Sequence, residues 1–296
     1  MREDLWSRLL AWYEQYKRDL PWRQTRDPYA ILVSETMLQQ TGVERVISKY
    51  QAFLAAFPTL QALAAAPTAD VIRLWQGLGY NRRAVRLQQA ARAALQRWSA
   101  LPSTVDDLLS LPGVGPYSAR AVACFAFDAP IAAIDTNIRR VLTRVLHSAQ
   151  ETTLTAKAMQ ALADSIIPAG RAYDWNQALM DLGATICTDA APRCLICPLQ
   201  PQCRAFPVAP AGSTAIAEAR PRWKEEPFAG SRRYYRGRIV DALRALAPGE
   251  LLSLAALGVR VKPDFADAEL PWLRTLVEEL AMDGLARVEG EDVSLP

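Results

Sequence analysis

Apolar residues recur at three- and four-residue spacing through SRLLAWYEQY, YAILVSETMLQQTGVERVISKYQAFLAAF and TADVIRLWQGLG, the period of helices that bury one stripe. Period-2 alternation is almost absent from residue 1 to about 206, which predicts an all-helical segment. Ser103 and Asp106 form a capping-box-like pair before VDDLLSL, and Pro116 suits the first turn of the helix after LPGVG. Two helices should therefore flank that turn as a hairpin. Between 207 and 230 the chain is rich in Pro, Ala, Gly and Ser with no sustained apolar period, as expected of a linker. Beyond it, YYRGRIVDALRAL, LLSLAALG and ELPWLRTLVEELAMDGL predict three short helices, and ARVEGEDVSLP predicts a β-hairpin. These are the parts of a winged helix, and equally of a generic stabilising appendix.

Composition narrows the class. With 296 residues, 51% hydrophobic and 22% charged, the chain can pack more than one module. It contains no run of about 18 apolar residues of the kind that spans a bilayer. The opening MREDLWSRLL lacks the basic-then-apolar layout of a signal peptide, so a cytoplasmic, nucleoid-associated location is expected. The formal charge of +3 is uneven: residues 1 to 220 carry 23 Lys and Arg against 18 Asp and Glu, and the remainder 11 against 13. A positive larger part suits a polyanionic partner.

Cysteine usage is more informative. Cys187, Cys194, Cys197 and Cys203 form a C-x6-C-x2-C-x5-C array, and in an intracellular chain such close thiols read as ligands of one metal centre. Cys124, in ARAVACFAF, reads as a buried structural residue. Upstream, the turn LPGVG at 111 to 115 sets two glycines where backbone N–H groups can converge on a phosphate. A tight turn alone would look the same. About twenty residues later stands AAIDTNIRRVLTRVL, in which Asp135 is either a helix N-cap or an acid held at a helix start.

LPWRQTRDPY, VSETMLQQT, LWQGLGY, LPGVGPYSA, AIDTNIRRVL, NQALMDLGATIC and the cysteine array follow one another over residues 19 to 203. In that order they resemble the motifs of the MutY adenine glycosylases, in the helix-hairpin-helix (HhH-GPD, endonuclease III) superfamily. The resemblance implies an all-α, two-lobed fold with a 4Fe-4S loop. A six-helix lobe would occupy about 23–128 and a cluster lobe 1–22 with 129–206, followed by the 207–230 linker and a winged-helix-like domain at 231–296. The expected activity is monofunctional base excision from DNA: hydrolysis of the glycosidic bond of a flipped adenine mispaired with 8-oxoguanine or G.

By the same resemblance Glu35, kept protonated by burial, would donate to adenine N7, and Asp135 would stay anionic beside the oxocarbenium-like sugar. Val33, Met37 and Leu38 make the surroundings of Glu35 apolar. Tyr117 stands where endonuclease III has its nucleophilic lysine, so no efficient lyase step is expected; the tyrosine would line the pocket near the sugar. Trp22, Arg23 and Asp181 would form the base pocket, Asp181 reading the Hoogsteen edge. Gln40 and Tyr80 would enter the stack at the gap. Leu111, Gly113, Val114 and Gly115 would grip backbone phosphate. Asn137 and Arg140 would orient Asp135 and reach phosphate. Cys187, Cys194, Cys197 and Cys203 would hold the 4Fe-4S cluster, with zinc as the competitor, on a loop that brings Arg193 and Arg204 to the DNA.

The match stops at the C-terminus. MutY proteins usually continue into a Nudix-like domain with a Phe-Ser-His loop that recognises 8-oxoguanine. The one histidine here is His147, which reads as a helix-end residue. The basic and aromatic run RRYYRGR at 232 to 238 suits either DNA backbone or an amphipathic helix start. Two alternatives follow: a glycosylase of the same fold acting on T or U opposite G or on hypoxanthine, and a non-catalytic iron-sulfur regulator bound to DNA. The expected partner is double-stranded DNA with a mispair or damaged base, bound by a monomer with no membrane contact.

Overall fold

A computed structural model describes residues 2–146, 154–206 and 227–296; His147 and most of the expected linker lie outside them. Along the chain run α1 (Arg2–Tyr16), a 3-10 turn at Pro21–Arg23, α2 (Pro28–Leu38), α3 (Val43–Ala56), α4 (Leu60–Ala65), α5 (Thr68–Leu74) and α6 (Arg82–Trp98). Next come α7 (Val105–Leu109), α8 (Pro116–Phe127), α9 (Thr136–Leu146), α10 (Ala156–Ser165) and α11 (Ala172–Thr185), then two 3-10 turns in the cysteine loop. The C-terminal part holds α12 (Arg232–Arg244), β1 (Leu252–Ser253), α13 (Leu254–Val261), α14 (Leu270–Met282), β2 (Arg287–Glu289) and β3 (Asp292–Ser294). All strands among the described residues lie in this last part, in agreement with the helical periodicity before it. No described helix is long and apolar enough to cross a membrane.

The chain makes two compact units. One comprises 1–32, 103–109 and 114–221; the other comprises 33–102, 110–113 and 222–296. In the first, α11 packs against α9 and α1, and α7 against α8. Helix α11 is buried nearly throughout, with Trp175 at 1% exposure. Gly183 lets α9 approach: a Cβ there would stand 2.6 Å from Asn137 Cβ.

In the second unit Phe53 packs edge-on against Trp75, and α4 and α6 lie together. The C-terminal elements build an apolar core that also takes in two residues of α5 and α6. Ile239, Leu243, Leu257, Leu273, Leu276, Leu280 and Val293 share one buried cluster with Ile72 and Val85 of α5 and α6. The resemblance implied a lobe at about 23–128 with 231–296 apart; the compact unit of the structure instead joins 33–102 and 110–113 with 222–296, because hydrophobic burial follows spatial contact rather than chain order.

The hairpin β2–β3 pairs Val288 with Val293 across a Gly290 turn of φ 63°, and β1 adds to β3 through Leu252 and Val293. The two-residue β1 is too short for an alternation signal. Pro116 occupies the first turn of α8 behind Gly115, as expected. The cap before α7 falls one residue later than predicted: Thr104 Oγ1 accepts from the Asp107 N–H at 3.2 Å and donates to Asp107 Oδ2 at 2.7 Å.

Candidate active site

Asp135 stands at the N-cap of α9. Its Oδ1 accepts from the Ile138 N–H at 2.6 Å and its Oδ2 from Asn137 Nδ2 at 2.8 Å. Backbone donors and the helix dipole at this position favour an anion, so capping and chemistry make the same demand on the carboxylate. Burial pushes the carboxyl above the usual aspartate range, against the downward pull of the Ile138 and Asn137 donors and the Arg140 charge. Arg140 holds the arrangement from behind: Nη2 donates to Asn137 Oδ1 at 2.9 Å and to the Gly183 carbonyl, and Nε to the Cys187 carbonyl at 2.8 Å. Its Nε and Nη2 are thus engaged within the protein.

Asp181 also requires correction. It is fully buried, and both carboxylate oxygens are taken. Arg23 Nη1 and Nη2 donate to Oδ2 and Oδ1 at 2.7 and 2.8 Å, Arg18 Nε to Oδ1 at 2.6 Å, and the Arg18 N–H to Oδ2 at 3.1 Å. Burial pushes this carboxyl up, but the hydrogen bonds and charge of Arg23, with the charge of Arg18, carry it below the usual range. A carboxylate so saturated has no acceptor left for a base edge, and Arg23 spends its fork on the same pair. Trp22 is buried on the 3-10 turn beside Arg23 at 7% exposure.

Glu35 lies on α2 at 5% exposure, between buried Val33 and Met37. Tyr117 is half-buried at the second position of α8. In the LPGVG turn the apolar side chains Leu111 and Val114 are buried, at 2% and 8% exposure. Gly113 is exposed at φ 77°, where a Cβ would meet Arg86 Cβ at 2.7 Å. Gly115, half-buried, leads into α8 with open space at its Cβ position. Apolar anchors inward and glycine backbone outward suit close contact with a phosphate chain.

Gln40 and Tyr80 are both exposed and both left-handed, at φ 58° and 45°, a backbone state unusual for these residue types and common at functional turns. Arg83, which the sequence did not single out, ties their turns together. Its Nη1 donates to the carbonyls of Thr36 and Met37 at 2.7 and 3.1 Å and to that of Gln39; Nη2 donates to Thr41 Oγ1 and to the carbonyls of Leu78 and Gly79 at 3.1, 3.0 and 3.2 Å. The guanidinium lies 5.6 Å from the Tyr80 ring centre. The only signal for Arg83 was the arginine pair directly after GLGYN.

The four array cysteines are half-buried and unoxidised. Burial, with the neighbouring Cys187, Cys203 and Cys194, pushes the Cys197 thiol up to about 12, against a Leu199 N–H that favours the thiolate. Cys203 is likewise raised, chiefly by burial, and accepts from the N–H groups of Ala205 and Phe206. Arg144, buried on α9, sends Nη1 to Cys187 Sγ at 3.5 Å and to the Thr188 carbonyl at 2.6 Å. Among the described residues no group of three or more His, Cys, Asp or Glu side chains is set to hold a metal ion as it stands; the thiols lie within electrostatic reach of one another. That donor set, with backbone N–H groups aimed at sulfur, fits a thiolate-ligated cationic centre, which reverses the cost of ionising neighbouring thiols. Arg193 and Arg204 are exposed on this loop, and so are Leu195 and Ile196.

Comparison with known proteins bears on this geometry. A family model described as "HhH-GPD superfamily base excision DNA repair protein" matches residues 33–168. An adenine DNA glycosylase of Mycolicibacterium smegmatis is 44% identical over 239 residues, 80% of this chain and 79% of that protein. The adenine DNA glycosylase of Mus musculus is 42% identical over 73% of this chain, which spans 44% of the mouse protein. Among solved structures, a thermostable thymine-DNA glycosylase superposes with TM-score 0.66 at 31% identity, over 70% of this chain and 97% of that one. A trapped endonuclease III–DNA covalent intermediate superposes with TM-score 0.60 at 22% identity, a likeness of fold, over 70% of this chain and 98% of that one. With 44% identity across four fifths of its length on a helix-hairpin-helix frame, the chain belongs to the adenine DNA glycosylase family of the HhH-GPD superfamily of base excision DNA repair proteins.

Proposed function

We propose that the chain hydrolyses the N-glycosidic bond of an adenine flipped out of a mispair with 8-oxoguanine or G. The observation that carries the reading is the Asp135 carboxylate, half-buried at a helix N-terminus and held by the Ile138 N–H and Asn137. An anion fixed in that way can stabilise a developing oxocarbenium without reorganising. Glu35 supplies the proton. It lies buried on α2, and the proton goes to adenine N7. The bond between C1′ and the base breaks, the base leaves with that proton, and water adds at C1′ and gives up a proton that restores Glu35 to its acid form. Tyr117 lines the site without an amine, so the strand is not cut by a lyase step.

Gln40 and Tyr80 fill the gap in the stack, and the Gly113–Gly115 backbone holds phosphate. The cysteine array holds a 4Fe-4S cluster that fixes the loop carrying Arg193 and Arg204; hydrolysis needs no electron. The protein acts as a monomer on nucleoid DNA. Glu35 favours a purine, because protonation at N7 has no counterpart in thymine. Single-turnover excision across duplexes bearing A:8-oxoguanine, A:G, T:G, U:G and hypoxanthine:T tests this. Excision of adenine, lost in Asp135→Asn, is expected; excision confined to pyrimidines removes the adenine reading, and DNA binding with no excision anywhere supports the regulator.

A further inference from the structure

The C-terminal module has the element order of a winged helix, and part of its charge is turned inward. Helix α14 carries Glu278 and Glu279 against one Arg274. Two arginines of α12 are paired with acids of the same module: Arg232 with Glu279, and Arg236 with Glu279 at 3.1 Å and Asp283 at 2.6 Å. The module's remaining contacts point elsewhere.

Arg244, at the end of α12, has a side chain only 5% exposed. Its Nε donates to the Ile72 carbonyl at 3.0 Å, its Nη2 to Asn81 Oδ1 at 2.8 Å and its Nη1 to Asp241 at 2.7 Å. Asp283 pairs with Arg82 at 3.1 Å, and Ile72 and Val85 sit in the module's apolar core. Asn81 and Arg82 directly follow Tyr80, whose backbone is left-handed and whose ring is 61% exposed. Arg83 then joins that turn to the one bearing Gln40. A continuous set of hydrogen bonds thus runs from α12 to the two strained turns.

We propose that Arg244 is a positioning residue for excision: by holding Asn81 and the Ile72 carbonyl it fixes the turn that presents Tyr80, so that the C-terminal module serves base extrusion as a brace. The proposal rests on Tyr80 entering the DNA gap. A strained turn that must meet an unstacked duplex is useful only if it is already in place, since ordering it during extrusion would add to the barrier.

A double-mutant cycle on the full-length protein tests it, read as the single-turnover rate of adenine excision with enzyme in excess, alongside duplex affinity and thermal midpoint. Arg244→Met keeps the apolar stem and removes the donors. It should slow excision by about 10- to 100-fold, with duplex affinity changed far less, and should slow a Tyr80→Ala protein no further, because both act through one turn. Should Arg244→Met fail to fold, Asn81→Ala, which removes the acceptor of Arg244 Nη2, takes its place in the cycle with the same expectation. A wild-type rate in the single variant overturns the proposal, as does a loss that multiplies with that of Tyr80→Ala. A Tyr80→Ala protein at full rate overturns it too, through the reading of Tyr80 itself; absence of adenine excision by the wild type marks failure of the proposed function instead.

Discussion

Asp135 combines burial with three donors to its charged form, and these oppose one another. Burial prevails, so its carboxyl titrates above the usual aspartate range. The reaction needs the anion, and activity should therefore fall as pH drops through that raised value. Asn137→Ala removes a donor to the charged form, raises the value further, and should move the acidic limb of the pH–rate profile to higher pH; a stationary limb contradicts the account. Asp181 has the opposite balance. Its carboxyl is carried below the usual range, so it contributes stability that is present above the unfolded-state value and lost as pH falls through the folded one. Asp181→Asn should cost about 3–5 kcal/mol, since it leaves Arg23 buried without its partner. Thermal denaturation checks this, and an unchanged midpoint with altered base preference would return Asp181 to base reading. Asp135, Asn137 and the apolar setting of Glu35 were legible because their context is local in sequence. The commitment of Asp181 was not, because Arg18 and Arg23 reach it from the other end of the segment.

At the scale of elements, glycine decides how closely parts approach. A Cβ on Gly183 would meet Asn137 Cβ at 2.6 Å and its backbone at 3.1 Å. Gly183→Ala must therefore push α11 from α9, costing about 1–3 kcal/mol and displacing the Asn137 amide from Asp135. Loss of excision beyond the loss of stability is expected; a wild-type rate would contradict it. Gly113→Ala faces both a left-handed backbone and Arg86, with backbone strain of about 1–2 kcal/mol. It should weaken duplex binding, as measured by titration at fixed salt. Helix positions followed from apolar period, and Pro116 marked the start of α8. The break between α2 and α3 at Gln40 had no comparable signal beyond Gly42. The α7 cap fell on Thr104 rather than Ser103, neighbours with interchangeable capping chemistry.

For the whole molecule, the apolar core of the C-terminal residues takes in Ile72 of α5 and Val85 of α6. Removing 231–296 uncovers Ile72 and Val85, so the truncated chain should melt at lower temperature rather than behave as an intact catalytic domain; an unchanged midpoint would contradict a shared core. Three helices and a hairpin were visible in the sequence, but their partner was not, since an apolar stripe does not say what covers it. The cysteine array predicts iron rather than zinc in the purified protein, and Cys197→Ser should lose it, as read by metal analysis and visible absorption. The central claim, that one buried acid donates and one anion stabilises, is tested most directly by single-turnover excision of adenine opposite 8-oxoguanine by wild type, Glu35→Gln and Asp135→Asn, each shown to be folded and bound to the duplex. Each substitution should slow excision by ~10²–10⁴; excision at the wild-type rate by either variant would contradict the two-acid mechanism.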